Sequence, residues 1–115
     1  MDSDDAATLA LHEQELRRGT IVLASLAACR TPRYGYALLS TLADAGFQIE
    51  ANTLYPLLRR LEKQGLLKAE WNTDEVRPRK YYTLTDLGSQ MADSLRSEWD
   101  TLTRSLTTLW KEDSA

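Results

Sequence analysis

Apolar residues in this chain recur mostly at intervals of three and four, and at intervals of two in one short stretch. The clearest helical stretch is Asn52–Leu67 (NTLYPLLRRLEKQGLL). Leu54, Leu57, Leu58 and Leu61 fall there at i, i+3, i+4 and i+7, which aligns them along one side of an α-helix. Asn52 or Thr53 can cap its free N–H groups, and Pro56 is expected in the first turn, where a missing N–H is no loss. Gly65 can take up the left-handed conformation past the last turn. The other face carries Tyr55, Arg59, Arg60 and Lys63. The prediction is a short capped helix with an apolar back and a basic, aromatic front, the form of a helix that lies in a DNA groove. A core helix with a solvated charged face has the same pattern, so the choice between the two rests on what surrounds it.

Upstream, residues 1–5 (MDSDD) are expected to fray. A helix is expected over Ala6–Arg18, with Leu9, Leu11 and Leu16 set among charges; Gly19 either interrupts it or is carried through. Thr20–Cys29 is apolar almost all round, which predicts a central, buried helix. Pro32 and Gly35 then break the chain within Arg30–Gly35. Helical spacing resumes over Tyr36–Ala45, through Leu38, Leu39, Leu42 and Ala43, with Gly46 as the expected C-cap. Two helices joined by a short turn, the second basic, make a helix-turn-helix.

After Gly65 the period changes. Leu67, Ala69 and Trp71 alternate with Lys68, Glu70 and Asn72, predicting a strand with one buried face. Asn72–Pro78 is polar and turn-rich, and Arg79–Thr85 (RKYYTLT) predicts a second strand with Tyr82 and Leu84 on one face. A helix-turn-helix followed by such a hairpin is a winged helix-turn-helix. Its wing carries Arg77, Arg79 and Lys80, suited to phosphates or the minor groove. Thr85 can cap a last helix that continues to about Lys111, with Asp86 at its positive end. Leu95, Trp99, Leu102, Leu106 and Leu109 are spaced 4, 3, 4 and 3 apart on it, an a/d seam that needs a partner. A second copy of the helix is the economical one, and a dimer would place two recognition helices on half-sites about 34 Å apart.

Composition narrows the function. The net charge of −3 argues against nucleic acid until its distribution is read. Residues 52–80 hold seven Lys/Arg against four Asp/Glu, whereas residues 1–18 and 86–115 are each at −3. Positive charge is concentrated on the proposed recognition helix and wing. No apolar run reaches membrane-spanning length, and the acidic N-terminus lacks the pattern of a signal peptide, so a cytoplasmic protein without membrane contact is expected. One cysteine, Cys29, and one histidine, His12, exclude an internal disulfide and a metal-ligand set. Cys29 is expected to be a small buried residue. No nucleophile–base set and no Gly-rich phosphate loop is present, and the carboxylate pairs Asp4–Asp5 and Asp74–Glu75 sit in polar segments. No catalytic residue and no cofactor is expected.

The segments RRGTIVLASLAA, YGYALLSTL, NTLYPLLRRLEKQGLL and RPRKYYTLTDLG resemble those of the PadR-like transcriptional regulators, over about Leu16 to Leu109. The resemblance implies a homodimeric, ligand-responsive repressor. It implies a DNA surface made from the Tyr34-Gly35-Tyr36 segment, the helix from Asn52 and the basic wing, and a dimer made by the C-terminal helix. The short C-terminal helix is similar to that of the family's smaller, multidrug-binding group, in which a Trp on the last helix stacks on flat aromatic ligands; Trp99 stands at the matching position.

The expectation is therefore a mainly α protein with a small β-hairpin. Residues 1–85 form a winged helix-turn-helix with an N-terminal helix, and residues 86–115 a dimerisation helix. Asn52, Thr53 and Tyr55 would approach bases or flanking phosphates, Arg59, Arg60 and Lys63 would supply charge, and Arg77, Arg79 and Lys80 would clamp the backbone; some of these cations can pair with Glu62 or Glu50 instead. The expected partners are a palindromic DNA operator and a second copy of the chain; at the seam Trp99 either fills the space by packing or, as the resemblance implies, stacks on a small planar aromatic effector. The alternative is a winged helix used for protein docking, which the acidic net charge also suits.

Overall fold

The computed structural model describes residues 1–74 and 76–112. Glu75, which the sequence assigns to the hairpin's polar tip, and residues 113–115 of the expected C-terminal segment lie outside the described residues. Asp2 sets the start of the first helix: its carboxylate accepts a hydrogen bond from Asp5 N at 2.8 Å, and Asp4 and Asp5 sit at the positive end of the helix dipole. α1 therefore runs over Ser3–Ala28, and the residues expected to fray form its capped first turn. It continues through Gly19, since a single glycine costs a helix only about 1 kcal/mol. Thr20–Cys29 is less enclosed than expected. Ser25, Leu26 and Cys29 are buried, but most of the stretch is half-buried, because only one side of α1 meets the domain.

The break after α1 holds a short strand that periodicity did not reveal, β1 (Arg33–Tyr34). Two residues carry no period; pairing with a distant strand makes them one. Arg33 also closes the end of α1, its Nε donating to Ala28 O at 2.7 Å. α2 (Gly35–Asp44) and α3 (Ala51–Lys63) follow, each ended by a turn whose glycine takes a positive φ: +100° at Gly46 and +77° at Gly65.

The start of α3 departs from expectation. Its N-cap position is Glu50, whose carbonyl accepts from Thr53 N at 3.0 Å and Leu54 N at 2.9 Å, and no side chain caps it. Asn52 and Thr53 thus lie inside the first turn, exposed and not capping, and Pro56 stands inside the helix beyond that turn. The apolar stripe behaves as its spacing dictates. Leu54, Leu57, Leu58 and Leu61 are all buried, at roughly 1.5–3 kcal/mol each relative to exposure. They meet Leu26 and Cys29 of α1 and Leu38 and Leu42 of α2 in one core.

β2 (Leu67–Asn72) and β3 (Arg79–Leu84) form the hairpin, and β1 adds to its β3 side, giving an antiparallel sheet of order β1-β3-β2. Leu67 and Tyr82 face the core and are buried, with Ala69 and Leu84 partly covered. Trp71, expected on the same buried face, is 63% exposed, because the hairpin has by then run past the helices that cover its root.

α4 (Asp86–Glu112) is capped as predicted, with Gly88 N donating to Thr85 Oγ1 at 2.9 Å. That hydroxyl donates in turn to Gly65 O at 2.5 Å, and Thr85 N donates to Leu66 O at 3.2 Å. The end of α3 and the start of α4 are thereby joined. Only Gly88 and Ala92 of α4 are buried; the helix, about 40 Å long in all, runs out of the domain beside α1, and the described chain measures 61 × 35 × 22 Å.

Candidate nucleic-acid interface

The buried leucine stripe of α3 decides where its other side chains go. With that face against the core, Asn52, Thr53, Arg59, Arg60 and Lys63 are all exposed. Among the described residues the ion pairs lie elsewhere, and none of them engages these three cations. Arg60 and Lys63 occupy the last turn, where they also complement the helix dipole. Tyr55 behaves differently. It is half-buried, and a Cβ on Gly35 would lie 3.3 Å from its ring, so Tyr55 packs α3 against the start of α2.

Gly35 lies between Tyr34 and Tyr36, and the structure brings both tyrosines to the wing. Their rings stack 5.8 Å apart at 10°, and Tyr81 of β3 meets Tyr34 edge-on at 6.1 Å. Arg79 lies over the stack, and its Nη1 donates to Tyr36 Oη at 2.7 Å. Asn72 Nδ2 donates to Tyr34 Oη at the same distance. Asn72 did not stand out in the sequence, since only the strand register shows that it pairs with Arg79.

The wing's cations are not equivalent. Arg77 is exposed. Lys80 is drawn back toward α3, with Nζ 3.7 Å from Glu62 Oε1 and 5.4 Å from the Tyr82 ring centre, so part of its charge braces the wing against α3. On the sheet's other face, Lys68 Nζ lies 2.6 Å from Glu70, and Tyr81 Oη donates to Glu70 at 2.6 Å. The hydrogen bond from Lys68, and then that from Tyr81, hold the Glu70 carboxyl below its ordinary value. The bonds to Glu70 push the Lys68 ammonium and the Tyr81 hydroxyl up.

The seam on α4 is open. Leu95, Trp99, Leu102, Leu106 and Leu109 are exposed, at 36% to 59%. Between α4 and α1 lies an apolar groove of about 340 Å³, lined by Leu16 and Leu23 on one side and Leu95, Trp99, Leu102 and Leu106 on the other. The contribution of α1 was not legible from spacing on α4 alone. Among the described residues no group of three or more His, Cys, Asp or Glu could hold a metal ion, and no helix is long and apolar enough to cross a membrane.

This arrangement defines a winged helix-turn-helix protein with a long C-terminal helix. The chain belongs to the PadR-like family of transcriptional regulators, whose family model matches residues 22–94. It is similar to the PadR family transcriptional regulator of Eggerthella lenta DSM 2243, at 48% identity over 92% of each chain with a TM-score of 0.81. It is also 37% identical over 71 residues to a protein of Lysinibacillus sphaericus, covering 58% of this chain, and 38% identical over 55 residues to transcriptional regulator Rv3488 of Mycobacterium tuberculosis (strain ATCC 25618 / H37Rv), covering 48%. These two matches span 65% and 51% of the relatives' own lengths. Fold and family are those of transcriptional regulators and not of enzymes.

Proposed function

We propose that this regulator binds a palindromic double-stranded DNA operator as a homodimer and acts as a ligand-responsive repressor. The observation that carries the DNA reading is the pairing of an exposed Asn52, Thr53, Arg59, Arg60 and Lys63 on α3 with a basic wing on the same domain. Asn52 and Thr53, at the N-terminal end of α3, reach base edges or flanking phosphates. Arg77, Arg79 and Lys80 position the phosphate backbone on either side, with Tyr34, Tyr36 and Tyr55 forming the aromatic surface behind these cations. The acidic helices at the two ends of the chain discourage DNA from binding elsewhere.

The dimer forms on α4. Its seam is exposed over about two heptads and the neighbouring α1 leucines widen the apolar strip, the surface a second copy would cover. Residues 86–115 then act as the dimerisation unit and residues 1–85 as the DNA-binding unit. The short C-terminal helix favours the multidrug-binding group of the family, and a pair of Trp99 rings at the twofold axis suits a flat aromatic effector. Such an effector works only by favouring one arrangement of the two heads. The Thr85–Gly65 and Thr85–Leu66 bonds would carry a change in α4 directly to α3.

The test is binding to a duplex from the protein's own promoter at several salt concentrations, with the mass in solution measured by sedimentation. The expected result is one dimer on a tight site, with affinity falling steeply with salt, by several counterions. A dimer with no preference for any genomic duplex would favour the protein-docking use of the winged helix. A chain that stays monomeric would remove the α4 dimer, and a Trp99→Ala variant that responds to planar aromatics as the wild type does would remove Trp99's role.

A further inference from the structure

The last rung of the wing's ladder is tied to the start of α2, a link that DNA binding by itself does not demand. Asn72 and Arg79 are register partners at the distal end of β2 and β3, and each side chain donates to a different tyrosine hydroxyl, Tyr34 and Tyr36. The Arg79 guanidinium carbon lies 5.2 Å from the Tyr36 ring centre and 6.0 Å from that of Tyr34, so ring and hydroxyl of Tyr36 act on the same group. Tyr36 follows Gly35, whose lack of a side chain lets the Tyr55 ring of α3 approach. A line of contacts therefore runs from α3 through Gly35 and Tyr36 to a cation on the wing.

An arginine on a hairpin sweeps a wide arc and loses rotamer freedom when it binds a phosphate; one already held in place loses less. We propose that Tyr36 is the positioning residue for Arg79, holding the guanidinium beside the start of α2 so that wing and recognition helix meet one stretch of DNA backbone in a fixed relation. The proposal rests on the DNA-binding reading above and adds to it a residue that acts through another.

A double-mutant cycle on the full chain tests it, using the promoter duplex at several salt concentrations. Arg79→Ala is expected to weaken binding and to lower the salt slope by about one counterion. Tyr36→Phe keeps the ring and removes the hydroxyl; it is expected to weaken binding about threefold to tenfold in the wild type and to have no effect in the Arg79→Ala background. An equal loss in both backgrounds would mean that Tyr36 touches the DNA itself, and no loss in either would mean that the hydroxyl is idle; both overturn the proposal. A second readout needs no DNA. ¹⁵N relaxation of the Arg79 Nε–H group is expected to show faster motion in Tyr36→Phe, and unchanged motion overturns the latch. If the wild type binds no duplex, the DNA reading falls and Arg79's role with it, while the relaxation measurement still decides whether Tyr36 holds the guanidinium.

Discussion

Gly88 of α4 lies directly against the backbone of Leu66, so closely that a methyl group on it would overlap the Leu66 carbonyl oxygen and come within 2.9 Å of the carbonyl carbon. Leu84 Cδ2 closes the remaining side at 3.1 Å. Because the obstacle is backbone, it cannot turn aside as a side chain would. Gly88→Ala is expected to destabilise the fold by about 3 kcal/mol even though alanine is the better helix former. Urea denaturation checks this; a variant as stable as the wild type would show that α4 does not seat as described.

Thr85 holds the same joint by hydrogen bonds. Its hydroxyl accepts from Gly88 N and donates to Gly65 O, so Thr85→Ala uncaps α4 and frees a turn carbonyl at once. The expected cost is about 1–2 kcal/mol. Thr85→Ser keeps the hydroxyl and is expected to recover most of it, which separates the hydrogen bonds from the lost methyl group.

Ser25 presents the opposite case. It is fully buried in α1, and its Oγ has no hydrogen-bond partner among the described residues. A buried hydroxyl without a partner is an uncompensated desolvation, so Ser25→Ala is expected to raise stability by about 1 kcal/mol or more. A clear loss of stability in thermal denaturation would show that the hydroxyl is bonded after all.

Cys29 is fully buried, and burial pushes its thiol up to about 11, with the Arg33 charge opposing this weakly. A group whose folded value is raised contributes stability that is complete below its unfolded value, near 9.0, and lost as pH rises through about 11. The difference in stability between wild type and Cys29→Ala is therefore expected to be flat up to about pH 8 and to shrink between pH 9 and 11. At neutral pH the thiol is expected to react with a soluble disulfide reagent only as fast as the domain opens. Fast labelling of the native protein would contradict both expectations.

Local chemistry determined much of this protein without help from the rest of the chain. The leucine spacing of α3 determined which face is buried and, by exclusion, that Asn52, Arg59, Arg60 and Lys63 stand in solvent. Gly46, Gly65 and Thr85 ended and began helices as their backbone and side-chain preferences require. Alternation over Leu67–Asn72 and Arg79–Leu84 was enough for the hairpin. These features depend on residues a few positions apart, which a one-dimensional pattern records.

Tertiary structure decided what depends on distant residues. β1 exists only because Arg33 and Tyr34 pair with Tyr82 and Tyr81. Trp71 has the alternation of a core residue, yet it is exposed, since the length of the covering helices and not the strand's own pattern decides where the core ends. α3 has its N-cap position at Glu50, whose carbonyl accepts from Thr53 N and Leu54 N, so Asn52 and Thr53 already lie within the first turn and cap nothing. The roles of the wing's cations likewise depended on neighbours 18 and 43 residues away: Glu62 draws in Lys80, and Tyr36 holds Arg79. Charge and composition are properties of the chain, but which charge meets which partner is a property of the fold.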